Sequence, residues 1–242
     1  MALWGTIVNT AAIILGGLLG SLLPRVSEGV RRTVIQGLGL ALMVLGVTMA
    51  LETANILIVI ASLVLGGLMG EWMKLEDRLH RLGAWLEQTV QRFTRTKTGE
   101  GKGSIAEGFV TATLVYCIGA MAILGALDGG LRQDHTILYT KSMLDGVSAV
   151  IFASTLGIGV IFSSIPVFLY QGSIALAASF IYLFVSETQM LGLIAEVTAV
   201  GGVLIVGIGL NILEIKKINV ANLLPSLLIA IVLVSAVPYW NG

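Results

Sequence analysis

The residues best equipped for chemistry lie in one segment, KSMLDGVSAVIFASTLGIGVIFSSIP, residues 141–166. Lys141 and Asp145 are four apart, so in a helix they are neighbours on one face. Ser148, Phe152, Thr155 and Gly159 continue that face at three- and four-residue steps. The result is a polar lane leading into an otherwise apolar run. Asp145 can hold a cation or a proton there. Lys141 can serve as its exchangeable counter-ion, because a bound cation competes with the internal ion pair. A structural reading stands beside this one. Ser142-x-x-Asp145 resembles a capping box with Asp in place of the usual Glu or Gln. A carboxylate also suits the positive end of a helix dipole. Asn211 is the other candidate ligand, deep in an apolar run, and it can equally join helices by hydrogen bonding.

Further polar groups in or beside apolar runs are Asn9, Asn55, Gln171 and Asn222. Asn222 with Pro225 reads as the start of a helix, since proline fits a first turn. Gly157 and Gly159 can break a helix and expose carbonyls, or allow close packing. Glu196 and Glu214 are expected near helix ends. Enzymatic chemistry is not supported. His80 and His135 are far apart in sequence and expected on opposite faces, so they define no metal site. No Cys/His dyad, Walker loop or zinc signature is present. No cofactor is implied, and any metal is left undefined.

The elements that position these groups follow from composition. Hydrophobic residues make up 56% of the chain and charged residues 12%, about half the charged fraction of a soluble domain. Mean hydropathy is +0.96. Several apolar runs reach the ~18–20 residues that cross a ~30 Å hydrocarbon core. In lipid such runs must be helices, because an open strand leaves backbone groups without partners. The expectation is an all-α, polytopic transmembrane helical bundle, residues 1–242 forming a single integral membrane domain. About eight spans are predicted, near Leu3–Leu23, Val34–Leu51, Asn55–Met73, Phe109–Leu127, Leu144–Phe162, Val167–Val185, Leu191–Leu213 and Leu223–Val237. The first run lacks the basic flank of a signal peptide and is read as retained. Zero formal net charge implies no nucleic-acid partner. The single Cys117 has no intrachain disulfide partner.

Orientation follows from the basic residues. Arg25, Arg31 and Arg32, the group from Lys74 to Lys102, and the Lys216–Lys217 pair fall on one side if eight spans cross. That side is expected to be the cytoplasm, with both termini outside. Residues 71–95 read as an amphipathic helix, with Trp72, Leu75, Leu79, Leu82, Leu86, Val90 and Phe93 on its apolar side. It either lies in the cytoplasmic interface or extends the third span. Residues 94–104, TRTKTGEGKGS, form a flexible linker.

Two internal echoes stand out. AAIILGGLLG (11–20) matches ASLVLGGLMG (61–70), placing Gly16/Gly20 and Gly66/Gly70 as small-xxx-small pairs that let helix backbones approach. Such glycine-rich helices also offer a route to a homo-oligomer. GLALMVLGVT (39–48) matches GVLIVGIGLN (202–211), so spans one to three are a candidate inverted repeat of spans six to eight. Inverted repeats characterise many secondary transporters.

Three segments carry a family resemblance: YCIGAMAILGALDGG (116–130), residues 141–172, and GLNILEIKKINVANLLP (209–225). With the early ILGGLLG run, the chain resembles the YqgA/YdfK type of bacterial membrane protein, domain-of-unknown-function family five-five-four. The family pattern often has Pro where Ala120 stands and Gly where Gln133 stands. The resemblance implies a multi-pass protein of the bacterial cytoplasmic membrane and supplies no substrate or catalytic residues. The expected function is transport or channel activity for a small solute or ion. The alternative is a non-transporting membrane adaptor that binds a lipid or partner through the amphipathic helix.

Overall fold

The computed structural model describes residues 1–22, 28–78, 81, 105–184 and 187–236. Ten α-helices follow one another among them: α1 Trp4–Leu22, α2 Glu28–Ala50, α3 Ile56–Met73, α4 Ile105–Cys117, α5 Ala120–Leu131, α6 Thr136–Leu156, α7 Gly159–Phe162, α8 Ser164–Phe184, α9 Glu187–Ile212 and α10 Pro225–Ala236. A 3-10 turn, Val220–Leu223, leads into α10. No strand occurs among the described residues.

Eight uniform spans are not what the helices show. Five segments are long and apolar enough to cross a membrane: Trp4–Leu22, Arg32–Ala50, Ile56–Met73, Gly159–Phe180 and Gln189–Ile212. A sixth is the pair α4 and α5, bent by 59°. The bend falls at Gly119, whose φ of 132° suits glycine. The expected span 144–162 is divided instead. α6 begins earlier and stops at Gly157, where φ is 89°, and the apolar run resumes from Gly159 into α8. The last expected span is a shorter apolar helix with its 3-10 lead-in, Val220–Ala236.

The two departures from the family pattern find local explanations. Ala120 is the first residue of α5, a position where proline is well tolerated. Gln133 has φ 56°, the left-handed region where glycine is favoured.

Helix starts are set by short polar side chains. Asp134 accepts from the Thr136 N–H (2.9 Å) and hydroxyl (2.7 Å) just before α6, and these bonds hold its carboxyl below the usual carboxylate range. Ser142 and Asp145 therefore lie well inside α6, and the capping-box reading fails. Ser142 spends its hydroxyl on the Leu138 carbonyl instead. Asn55 caps α3 by accepting from the Leu57 N–H. α3 ends at Lys74, which is left-handed (φ 51°, ψ 47°), so the helical residues 75–78 start a new direction. Apart from Arg81, the rest of the predicted amphipathic helix 71–95, and the linker 94–104, lie outside the described residues.

The chain divides into two compact units: residues 1–31, 77–117 and 121–178, and residues 32–76, 118–120 and 179–242. In the first, α1 and α6 run parallel in backbone contact. A Cβ on Gly16 would strike the Gly146 carbonyl, one on Gly20 the Val150 carbonyl, and one on Gly5 the Leu138 side chain. In the second, Gly66 and Gly70 of α3 meet Ser226 and Asn222 in the same way. The echo between 39–48 and 202–211 is an antiparallel seam in that unit. A Cβ on Gly46 would come within 2.5 Å of the Gly202 carbonyl oxygen, and one on Gly209 within 2.9 Å of the Gly39 carbonyl oxygen. Glycines seven apart recur on one face, so each helix meets its own pattern reversed.

Added bulk on these seams is expected to be costly. Gly20→Val and Gly70→Val should each lower stability by about 1–3 kcal/mol or more. Gly37, exposed on α2 with nothing near its Cβ position, should accept alanine with no loss. Thermal unfolding of detergent-purified variants checks both.

Candidate functional site

α6 is arranged with its polar residues inward. Met143 and Val147 are 75% and 64% exposed, whereas Lys141 and Asp145 are 7% and 4% exposed. The Lys141 Nζ lies 3.1 Å from Asp145 Oδ1 and 3.0 Å from Oδ2. A pair so enclosed keeps its charges only if further hydrogen bonds replace lost water.

One amide from another helix supplies such a bond, and a second amide is joined to the first. Asn9 of α1, fully buried, donates through Nδ2 to Asp145 Oδ2 at 3.1 Å and to Gln171 Oε1 at 3.3 Å. Gln171, also fully buried, belongs to α8, midway along the apolar segment Gly159–Phe180. The Asn9 orientation follows from the chemistry. Turned over, the amide would direct an oxygen at a carboxylate. Asn9 reaches Asp145 because it shares the contact stripe of α1 with Gly5, Gly16 and Gly20. Small residues along that stripe bring the two backbones close enough for a short side chain to bridge them.

The cluster is incomplete. Asn9 Oδ1, an acceptor, and Gln171 Nε2, a donor, are buried without a hydrogen-bond partner among the described residues. Thr6 Oγ1, one turn from Asn9 on α1, is in the same condition. Natural interiors leave few polar atoms unpaired, and here two of them sit on one hydrogen-bonded cluster with a charge pair. Among the described residues the oxygen ligands in the cluster are the Asp145 carboxylate, Asn9 Oδ1 and Gln171 Oε1. Among the described residues no three His, Cys, Asp or Glu side chains come together as a metal site.

The other residues singled out from sequence divide clearly. Ser148 donates to the Asp145 carbonyl at 3.0 Å and stands 3.4 Å from the Tyr116 hydroxyl, whose ring stacks on Phe152. It is one turn from the pair and continues the lane. Thr155 bonds the carbonyls of Ile151 and Phe152 within its own helix. Asn211 is in the second unit, and both ends of its amide are used on the Ile218 backbone, at 2.8 and 2.7 Å. Asn9 and Gln171 were visible as intramembrane amides, but nothing in the sequence joined them to Asp145 across 136 and 162 residues.

The second unit has its own buried carboxylate. Glu196 is well inside α9 rather than near its end. It accepts from the Ala54 and Asn55 N–H groups and the Thr53 hydroxyl at 2.7–2.9 Å. Three donors at the start of α3 satisfy it, and it holds that helix in place. Asn222 likewise bonds Glu71 and the Glu76 N–H around the Lys74 turn.

The family described as a protein of unknown function, DUF554, matches residues 4–235. The chain belongs to this family. It is 38% identical to "Uncharacterized membrane protein YdfK" of Bacillus subtilis (strain 168), over 94% of this chain and 93% of that protein. It is 35% identical to "Uncharacterized protein YqgA" of Escherichia coli (strain K12), over 98% of each. No solved structure matches. The chain is thus a helical membrane protein, and the exposed leucines and valines of α1, α2, α3 and α8 are surface for lipid.

The charge pair yields a stability prediction. Lys141→Met alone leaves a buried carboxylate short of its cation and should cost about 3–5 kcal/mol. Lys141→Met combined with Asp145→Leu should recover most of that loss. Chemical unfolding in detergent reads the difference. A double variant no better than the single would show that the two residues are not coupled.

Proposed function

We propose that this protein moves a small ion or solute across the bacterial cytoplasmic membrane, binding it at Asn9, Lys141, Asp145 and Gln171. One observation carries the reading: a buried charge pair, bridged by an amide from a neighbouring helix, retains an unused acceptor and an unused donor. The carboxylate of Glu196, by contrast, is met by three donors. A bound solute would give the unused acceptor and donor their partners. Ser148 and Tyr116 extend the polar lane away from the pair. Gly157, which breaks the chain between α6 and α7, supplies a joint close to the lane.

The orientation belongs to this proposal. With only the six apolar segments crossing, Lys216–Lys217 would fall on the side opposite the other basic clusters. With α6 and α10 crossing as well, all of them share the cytoplasmic side and both termini lie outside. At 21 residues, α6 is about 31 Å long, enough to cross. Its low hydropathy comes from residues it hides.

A second reading, an adaptor that binds a lipid or protein, has one observation in its favour. The left-handed Lys74 separates the segment after it from α3, as an interfacial helix requires. It leaves the Asp145 cluster without a purpose.

Two measurements test the proposal. Cysteines replacing Lys97 and Lys216 should react with an impermeant maleimide only after cells are opened, and one replacing Asp134 should react from outside. In proteoliposomes on a solid-supported membrane, concentration jumps of Na⁺, K⁺, protons and amino acids should reveal a response that Asp145→Asn abolishes. Asp145→Glu should retain part of it. A response untouched by Asp145→Asn would move the path elsewhere, and no response to any solute would favour the adaptor.

A further inference from the structure

We infer that the Lys141–Asp145 site exchanges one small alkali cation, sodium or lithium, for one proton, the proton leaving from Lys141. The inference rests on the transport reading above and specifies its substrate.

Charge balance is the first step. The buried cluster holds one cation and one anion, and among the described residues no other charged side chain bonds to it. The neighbouring ionisable side chains are the Tyr116 phenol, 3.4 Å from Ser148, and, next to it in sequence, the Cys117 thiol; Tyr170 precedes Gln171 on α8. α1 contributes only Asn9 and Thr6. A cation that settles on the Asp145 carboxylate must displace the Lys141 ammonium. If the ammonium kept its charge, the enclosed site would carry one uncompensated positive charge, which low-dielectric surroundings strongly disfavour. Release of one proton from Lys141 restores the balance. The site then holds the carboxylate, the alkali cation and a neutral amine. On the reverse step a proton returns to the amine, the ammonium reclaims the carboxylate and the cation leaves. One positive charge enters for each that departs, and no bond other than N–H is made or broken.

The ligand atoms supply the second step. Hard cations take oxygen ligands. Asp145 offers two oxygens, Asn9 the unpartnered Oδ1, and Gln171 the Oε1 that accepts from Asn9 Nδ2. A water retained by the ion could accept from the unpartnered Gln171 Nε2. Both vacant groups would thereby gain partners, and a small ion with one water needs little room. A divalent cation meets the same oxygens but leaves an excess positive charge after one proton has gone. Sodium and lithium are therefore accepted, and calcium and magnesium are refused.

Lysine is essential to the scheme for one reason. Arginine would keep the ion pair with Asp145 but does not give up its proton. A neutral residue would leave the cation free to enter without counterflow.

The test uses the full-length protein in liposomes loaded with a pH-sensitive dye, with the potential clamped by potassium and valinomycin. An inward sodium gradient should make the lumen alkaline, at a rate that is the same at zero and at −100 mV. A net charge crossing would instead feel about a fiftyfold bias per 100 mV. Lithium should act like sodium, whereas calcium and magnesium should produce no pH change. Asp145→Asn should lower the rate by about a hundredfold or more. Lys141→Arg should insert and unfold like wild type yet exchange no protons. Lys141→Gln should admit radiolabelled sodium without proton movement and in proportion to the voltage. Proton exchange by Lys141→Arg at the wild-type rate would overturn the inference, as would wild-type sodium uptake that follows the voltage and moves no proton. Those results would leave the transport reading standing. So would an Asp145-dependent response to an amino acid with none to sodium or lithium, which would also end the cation claim. No Asp145-dependent response to any solute would end both.

Discussion

The first unit depends on the close approach of α1 and α6. Hydrocarbon offers no drive to press apolar helices together, so packing depends on how near the backbones can come. Gly5, Gly16 and Gly20 recur on one stripe of α1; Gly16 and Gly20 leave room for the α6 backbone itself and Gly5 for the Leu138 side chain. Asn9 occupies the same stripe. Its side chain is too short to bridge an ordinary gap filled by leucines. Here it reaches Asp145 and Gln171 together. The glycines thus do more than pack. They set the distance at which a buried carboxylate can be shared between helices, and a charge pair with replacement hydrogen bonds becomes tolerable in a dry interior.

The same accounting separates the cluster from other buried polar groups. Glu196 has three donors, and Asn211 uses both ends of its amide. Each ties a loop backbone to a helix, supplying partners for groups that a chain turn leaves exposed. Asn222 does the same around the Lys74 turn. Polarity inside an apolar helix is therefore not by itself a sign of a binding site. Asn9 and Gln171 differ from Asn211 in each keeping one buried amide atom without a partner among the described residues, as Ser62, Thr113, His135 and Thr198 also keep one polar atom.

How much of this was legible in the sequence follows from the range of each interaction. The membrane character is a property of composition, and the Lys141–Asp145 pair is a four-residue relation within one helix, so both could be read directly. The start of α6 could not. Ser142 and Asp145 looked like a cap, but Asp134 and Thr136 had already begun the helix. The role of Asn9 and Gln171 was hidden by sequence distance. The 39–48 and 202–211 echo was legible as a likeness, while its structural counterpart is contact. Two helices that pack antiparallel through glycines spaced by two turns will resemble each other whatever their ancestry.

The span count shows why hydropathy and structure part company. Averaging over a window treats Lys141 and Asp145 as two separate charges to be hydrated. In the folded unit they form one neutral, hydrogen-bonded group turned away from the surface, and α6 presents Met143, Leu144, Val147 and Ile151 outward. The transfer cost of such a helix is set by the outward face once its polar face is covered. Counted residue by residue, those charges weigh against α6, although its neighbours α1 and α8 cover them. The residues that lower its hydropathy are the ones its neighbours were arranged to enclose.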